Sequence, residues 1–373
     1  MSANLNEQSS IGYFKGMDVL RFICATGVIF HHAPLMLNEK GVATHAETIN
    51  HYSGEFFLDV FFIISGFLIS MILMKEYESH TFSVKNFFMR RIIRIWPLYF
   101  LAVLVKILLI PINKSELPWE LIKHNLLYAL TFTINFQLLF DTVVKSYTIL
   151  WSICIEEHIY LILPFLLFLF KAKFKILTFF LLVVGLISWL YFGNVTSSSG
   201  YRVSYFVSTS YFYYFGMGTL LACIKTGSLP GINFEKTVFK PLVQIVVMFV
   251  FFGYVFNGWG NHSEISTLII NGAFGLYIAW ASTTEEFIFN LKPNLSRYIG
   301  NISYGMYITH IILINFTIKF FTKKHIAFSE FTWGWCLPIM ATILCIGLST
   351  LLYYYFEKPI LKFKKKFTSV SNK

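Results

Sequence analysis

FFLLVVGLISWLYF, residues 179–192, is the stretch that decides the fold. It lies in a run, 176–201, without a single Asp, Glu, Lys or Arg. Crossing about 30 Å of hydrocarbon takes roughly 20 apolar residues in a helix. Five further stretches meet that length without a charge: 203–224, 241–263, 265–284, 298–318 and 331–356. Four more, about 14–37, 53–74, 95–113 and 147–170, are apolar with embedded ionisable residues. Strand-type alternation is absent, so a lipid-facing barrel is not expected. The sequence predicts an all-α, polytopic transmembrane bundle of about ten spans. The rest of the chain agrees: 56% of the residues are hydrophobic and 13% are charged. A soluble domain carries about twice that charge, so a water-soluble enzyme, a disordered protein and a disulfide scaffold are excluded.

The basic residues orient the bundle. With the N-terminus inside, 75–94, 171–175, 225–240, 285–297 and the tail from Glu357 fall on one side and hold most of the Lys and Arg. The opposite loops hold fewer: Lys40, Lys114, Lys123, Lys145, Arg202, Lys323 and Lys324. The rich side should be cytoplasmic, with both termini there. The apolar but short stretch 124–140 reads as an outer-leaflet or re-entrant segment. The net charge of +11 is mostly this topology together with anionic-lipid contact. Its spread over many loops argues against nucleic-acid binding. The five cysteines have no metal-ligand spacing, and no metal site is expected. The chain reads as a single membrane domain, 1–373. Ionisable helices occupy about 14–170, the remaining bundle about 176–356, and a basic cytoplasmic tail 357–373.

Ionisable groups inside spans are costly and therefore usually functional. In MDVLRFICATGVIFHH (17–32), Arg21 and His32 are eleven residues apart. That is three turns plus roughly 20°, so they share a face about 16 Å apart along the helix. Asp18 can pair with Arg21, and His31 sits about 100° from His32. Asp59, in FFLDVFFIISGFLIS (56–70), lies near the depth of His32 and could orient it, as an acid does in a triad. Ser65-Gly66 reads as a close packing point. In FFMRRIIRIWPLYF (87–100), Arg91 and Arg94 face one side and Arg90 is adjacent. They are either positive-inside anchors or a clamp for phosphate, which matches the arginine fork. In LWSICIEEHIYLILP (150–164), Ser152, Glu156 and Tyr160 share a face, and Glu157 points to a different helix. His310 stands alone in ISYGMYITH (302–310).

These segments, in this order, resemble the integral-membrane acyltransferase-3 family. The D-x-L-R opening and Arg-x10-His motif fall on Asp18, Arg21 and His32. LDVFFIISGFLI resembles the family's D-L-F-F-x-x-S-G-F segment, with Asp59. MRRIIRIWPLY resembles its R-R-x-x-R-I-x-P-x-Y motif, whose Arg-x-x-Arg element falls on Arg91 and Arg94. LWSICIEEHIYLILP resembles its W-S-x-x-V-E-E-Q-x-Y-x-x-x-P segment, and ISYGMYITH and FEKPIL fit its closing pattern. Val19 and Phe22 replace glycines usual beside the arginine, His158 replaces a common Gln, and His31 is an extra histidine. The resemblance implies a bacterial inner-membrane enzyme that moves an acetyl or short acyl group from acetyl-CoA to a hydroxyl of a cell-surface or lipid-linked glycan. It implies His32 as general base or transient acyl carrier, with Asp59 or Glu156 orienting it and Glu157 beside them. Arg21, Arg90, Arg91 and Arg94 would hold the phosphates of CoA, and Tyr160, Trp151 and His310 would face substrate. Many members carry an added SGNH-type hydrolase domain; this chain is expected to be a stand-alone member.

A secondary transporter or flippase of a polar solute also accommodates internal charges. Such proteins often show paired half-repeats, and none is evident between 1–185 and 186–373. The ionisable residues instead crowd into the first 160, which favours a single catalytic site. A third reading, a non-enzymatic assembly partner, would be favoured by loss of Arg21 or His32, and both are present.

Overall fold

The computed structural model describes residues 10–41, 46–112, 119–140, 149–197, 202–229, 238–257, 264–323, 330–368 and 371–372. Twelve helices are described: α1 Lys15–Asn38, α2 Ala46–Glu78, α3 Val84–Ile112, α4 Trp119–Leu130, α5 Ile134–Phe140, α6 Trp151–Leu169, α7 Phe174–Phe192, α8 Phe212–Lys225, α9 Pro241–Asn257, α10 Glu264–Ser282, α11 Pro293–Lys323 and α12 Glu330–Leu352. A π-turn, Tyr353–Glu357, and two short turns of helix carry α12 on to Phe367. The strand pairing among the described residues is slight: Ser10–Ile11 against Ser371–Asn372, in parallel, and one isolated bridge, Thr196 to Arg202. Lys114, Lys145, Lys236, Lys324 and Lys373, counted in the charge argument, lie outside the described residues.

Seven helices among the described residues are long and apolar enough to cross a membrane: Lys15–Asn38, Gly54–Glu78, Trp151–Leu169, Phe174–Phe192, Ile265–Ser282, Pro293–Lys323 and Trp333–Phe367. Their outward faces carry Phe165, Phe168, Phe179, Leu190, Ile343 and Leu351, all exposed. Exposed apolar side chains on this scale suit lipid, not water.

The structure departs from the sequence reading in two apolar stretches. The 203–224 stretch is not one helix. Two 3-10 turns, Val203–Tyr205 and Ser208–Tyr211, precede α8, which has 14 residues. The broken backbone is stabilised by side chains from elsewhere. Asn135 Nδ2 donates to the Phe206 carbonyl and Trp189 Nε1 to that of Ser210. Ser188 bonds Thr209 and Ser210, and Ser208 bonds His158. Irregular backbone at membrane depth is tolerated where protein satisfies it. In the 176–201 stretch the helix stops at Phe192. The 124–140 stretch is short, as expected: Phe132, at φ 56°, breaks it into α4 and α5.

The basic segments gather at one end of the bundle. Glu76, ending α2, pairs with Arg90 at the start of α3, and Arg90 Nη1 donates to the Phe367 carbonyl at 2.7 Å. Lys15 pairs with Glu285 after α10, at 2.7 Å. Gln244 of α9 bonds the Glu286 carbonyl, Thr226 after α8 reaches Met74, and Tyr77 meets Phe174 at the start of α7. Glycine permits the closest helix approach. A Cβ on Gly66 of α2 would fall 2.2 Å from the Phe215 carbonyl oxygen of α8, and one on Gly218 would fall 2.0 Å from that of Ile63. The two helices therefore meet backbone to backbone.

Candidate active site

At the basic end of the bundle α1, α2, α3, α6 and α11 enclose a cavity of about 450 Å³. Arg21, Arg91, Arg94, Arg297 and Lys364 line it, against two lining carboxylates, Asp18 and Glu156. Five cations less two anions leave a formal excess of three positive charges. Arg21 sits one turn above Asp18, at 3.8 Å. The Tyr13 hydroxyl donates to Asp18 at 2.9 Å. Burial and the Asp18 carboxylate push the Tyr13 phenol up, so it stays a donor. Arg297 covers the Tyr13 ring, 4.5 Å from its centroid.

The three arginines of α3 have separate roles because successive residues are turned about 100°. Arg91 and Arg94 face the cavity; Arg91 lies 5.5 Å from the Tyr160 ring centroid, and its buried Nε has no hydrogen-bond partner. Arg90 turns away into a two-pronged bond with Glu76, at 2.8 and 2.9 Å. It does not line the cavity. The placement of Arg90 is therefore a structural clamp, whereas the sequence reading put it with the phosphate ligands.

Ser152, Glu156 and Tyr160 line the cavity from one face of α6. Glu156 accepts from Ser65 at 2.8 Å and from Tyr160. Ser152 bonds Tyr307 of α11. Glu157 faces α3 instead and accepts from Trp96 Nε1 at 3.0 Å. Trp151 packs among Tyr205, Phe206 and Tyr211, away from the cavity.

Beyond Tyr307 lie the histidines. His32 Nδ1 is 2.9 Å from the Val28 carbonyl oxygen. A carbonyl only accepts, so Nδ1 carries the proton and Nε2 keeps its lone pair in the neutral ring. His310 is arranged likewise, its Nδ1 bonded to the Tyr307 carbonyl. The His32 and His310 rings stand 5.0 Å apart, and His31 stands 4.9 Å from His32. Asp59 is elsewhere: it accepts from Asn271 Nδ2 at 3.0 Å and from Tyr214. The hydrogen bond that fixes the His32 tautomer thus comes from backbone, and Asp59 and Glu156 have other partners.

Arg297 and Lys364 escaped the sequence reading. Each had been counted as a topology signal, and only packing brings the start of α11 and the tail to Arg21. Among the described residues no group of three or more His, Cys, Asp or Glu is placed to hold a metal.

A family model described as an acyltransferase domain matches residues 14–354. The chain belongs to the acyltransferase-3 family. Family members similar to it include O-acetyltransferase OatA of Staphylococcus aureus strain NCTC 8325 / PS 47 and of strain COL, each 27% identical over 395 residues. Those alignments cover 96% of this chain and 59% of each relative, so the chain spans under two thirds of their length. No solved structure matches it. Membership makes this multi-pass membrane protein an acyltransferase, and the family match spans all five helices that line the cavity.

Proposed function

We propose that the protein moves an acetyl group from cytoplasmic acetyl-CoA to a hydroxyl of a cell-surface or lipid-linked glycan. The observation that carries this reading is the cavity: an excess of cations at the basic end, with Ser152 and Tyr307 also in its lining and the Tyr307 ring beside His310. CoA is a polyanion on a long flexible arm. Arg21, Arg91, Arg94, Arg297 and Lys364 suit its phosphates, and guanidinium forks match phosphate oxygens. The arm would carry the thioester past Ser152 and Tyr307 toward His32. The Nε2 lone pair of His32 would then take the proton of the acceptor hydroxyl or receive the acyl group itself. In the first case the hydroxyl oxygen attacks the carbonyl carbon, the C–S bond breaks, and His32 returns the proton to the departing CoA thiolate.

In this reading the chain crosses a bacterial inner membrane ten times with both termini cytoplasmic. The seven long apolar helices would be joined by α3, α8 and α9. The contacts that gather the basic segments at one end support the orientation. The names of the relatives support acetyl as the group moved and oxygen as its acceptor.

The test is acetyl transfer in cells and in membranes. His32→Ala and Arg21→Ala should insert and bind detergent normally yet leave surface glycans unacetylated by mass spectrometry. Near-wild-type acetylation in either variant would refute the assignment.

A further inference from the structure

Two imidazoles, His32 and His310, lie beyond the cavity with their rings close together. Both rings are anchored alike, Nδ1 to a carbonyl of their own helix, so both present an unprotonated Nε2 when neutral. His310 is fully buried and its Nε2 has no hydrogen-bond partner. An unsatisfied buried acceptor costs on the order of 1–3 kcal/mol and calls for an explanation. A single general base would need one imidazole with an unprotonated Nε2, and the site holds two, on α1 and α11, with ring centroids 5.0 Å apart. Three of the described carboxylates in the neighbouring helices are bonded elsewhere: Asp59 to Asn271, Glu156 to Ser65 and Tyr160, Glu157 to Trp96. Other ionisable neighbours of His310 include His31 on α1, Lys106 on α3 and Tyr307.

We infer that His32 carries the acetyl group and His310 is the base that activates the acceptor hydroxyl. This rests on the acetyl-transfer reading above and selects between its two routes. In the first step His32 Nε2 attacks the thioester carbonyl carbon, the C–S bond breaks, and CoA leaves as thiolate and is protonated by water. The ring becomes an N-acetylimidazolium, its Nδ1–H still donating to the Val28 carbonyl. In the second step the acceptor hydroxyl gives its proton to His310 Nε2 and its oxygen attacks the acetyl carbon. The C–N bond then breaks, its electron pair returns to His32, and His310 releases its proton to water. Tyr307 links the steps: its side chain lines the donor cavity and its carbonyl holds His310.

Full-length protein in nanodiscs, given labelled acetyl-CoA and no acceptor and then quenched, should hold one acetyl group on the peptide containing His32. His310→Gln should still load that acetyl and release CoA once, while transfer to acceptor-containing membranes falls at least about 100-fold, the usual scale for a lost base. His310→Ala should load acetyl as the wild type does and regain transfer when imidazole is added. Wild-type transfer by His310→Gln would overturn the inference. So would wild-type protein that transfers acetyl yet never carries it on His32, a readout independent of how any variant folds. If wild-type protein neither binds acetyl-CoA nor transfers acetyl, the acetyl-transfer reading itself fails.

Discussion

The cationic cavity and the histidine pocket lie one helical turn apart on α11, joined by Tyr307 and His310, and they are built on opposite electrostatic principles. The cavity concentrates charge: five cations, two carboxylates, and an Arg91 whose Nε is unpartnered. The pocket fixes its His32 and His310 rings through backbone carbonyls, not through carboxylates. Excess positive charge in a partly enclosed space is unfavourable until an anion arrives, so the cavity is suited to binding. Neutral rings with free lone pairs are suited to reaction, because a nucleophile or base must be unprotonated to act. The difference teaches that holding the donor and reacting with it are assigned to different residues, so the two should fail separately.

The sharpest way to break that separation is His32→Ala. Transfer should fall about 10²- to 10⁴-fold while the dissociation constant for acetyl-CoA, measured by calorimetry, stays within error. A matching loss of binding would merge the two regions. The next largest effect should come from Glu76→Gln. Removing one charge of a buried ion pair costs about 3–5 kcal/mol, and Arg90 would be left with neutral acceptors only, the new amide oxygen and the Phe367 carbonyl. Thermal unfolding in detergent should drop markedly. Arg90→Ala should likewise lower stability without weakening acetyl-CoA at temperatures where the variant is folded. Arg91→Ala with Arg94→Ala should do the reverse: unfolding near that of the wild type, and acetyl-CoA weakened by about 1.5–3 kcal/mol per lost charge-assisted contact. Unchanged affinity would return both arginines to the role of topology signals.

Those contrasts mark what the sequence could convey. Helical spacing along one element was legible: Arg21 with Asp18, Arg91 with Arg94, and the Ser152, Glu156, Tyr160 face all line the cavity, and Glu157 turns away from it. Direction around the bundle was not, because hydropathy carries no azimuth, and Asp59 turns to Asn271 and Tyr214. Arg297 and Lys364 were hidden for the same reason. Apolar composition also concealed the break before α8, since the hydroxyls and amides that stabilise its two turns come from α5, α6 and α7.

Smaller effects sharpen the picture at the basic end. Lys364→Ala should weaken acetyl-CoA by under about 1 kcal/mol, more at low salt than at high, because its flexible ammonium reaches the cavity from the tail. The Lys15–Glu285 pair should matter least. Glu285 is largely exposed, and its hydrogen bond from Lys15 holds its carboxyl below the usual glutamate range. Its contribution is therefore present above the ordinary glutamate value and lost as pH falls through the lowered one. For an exposed pair it stays below about 1 kcal/mol, and Glu285→Gln should shift unfolding only slightly and flatten that acid-side decline.

The anchoring of His32 on the Val28 carbonyl has an evolutionary side. An orientation held by an aspartate can be erased by one codon change; one held by main chain cannot, because every residue at position 28 supplies the same oxygen. The imidazole tautomer is thus insulated from drift in its neighbours, and only a change that bends α1 can unset it. A carbonyl also lends a proton acceptor without a full negative charge, so mutational robustness and an uncharged reactive ring come from the same bond.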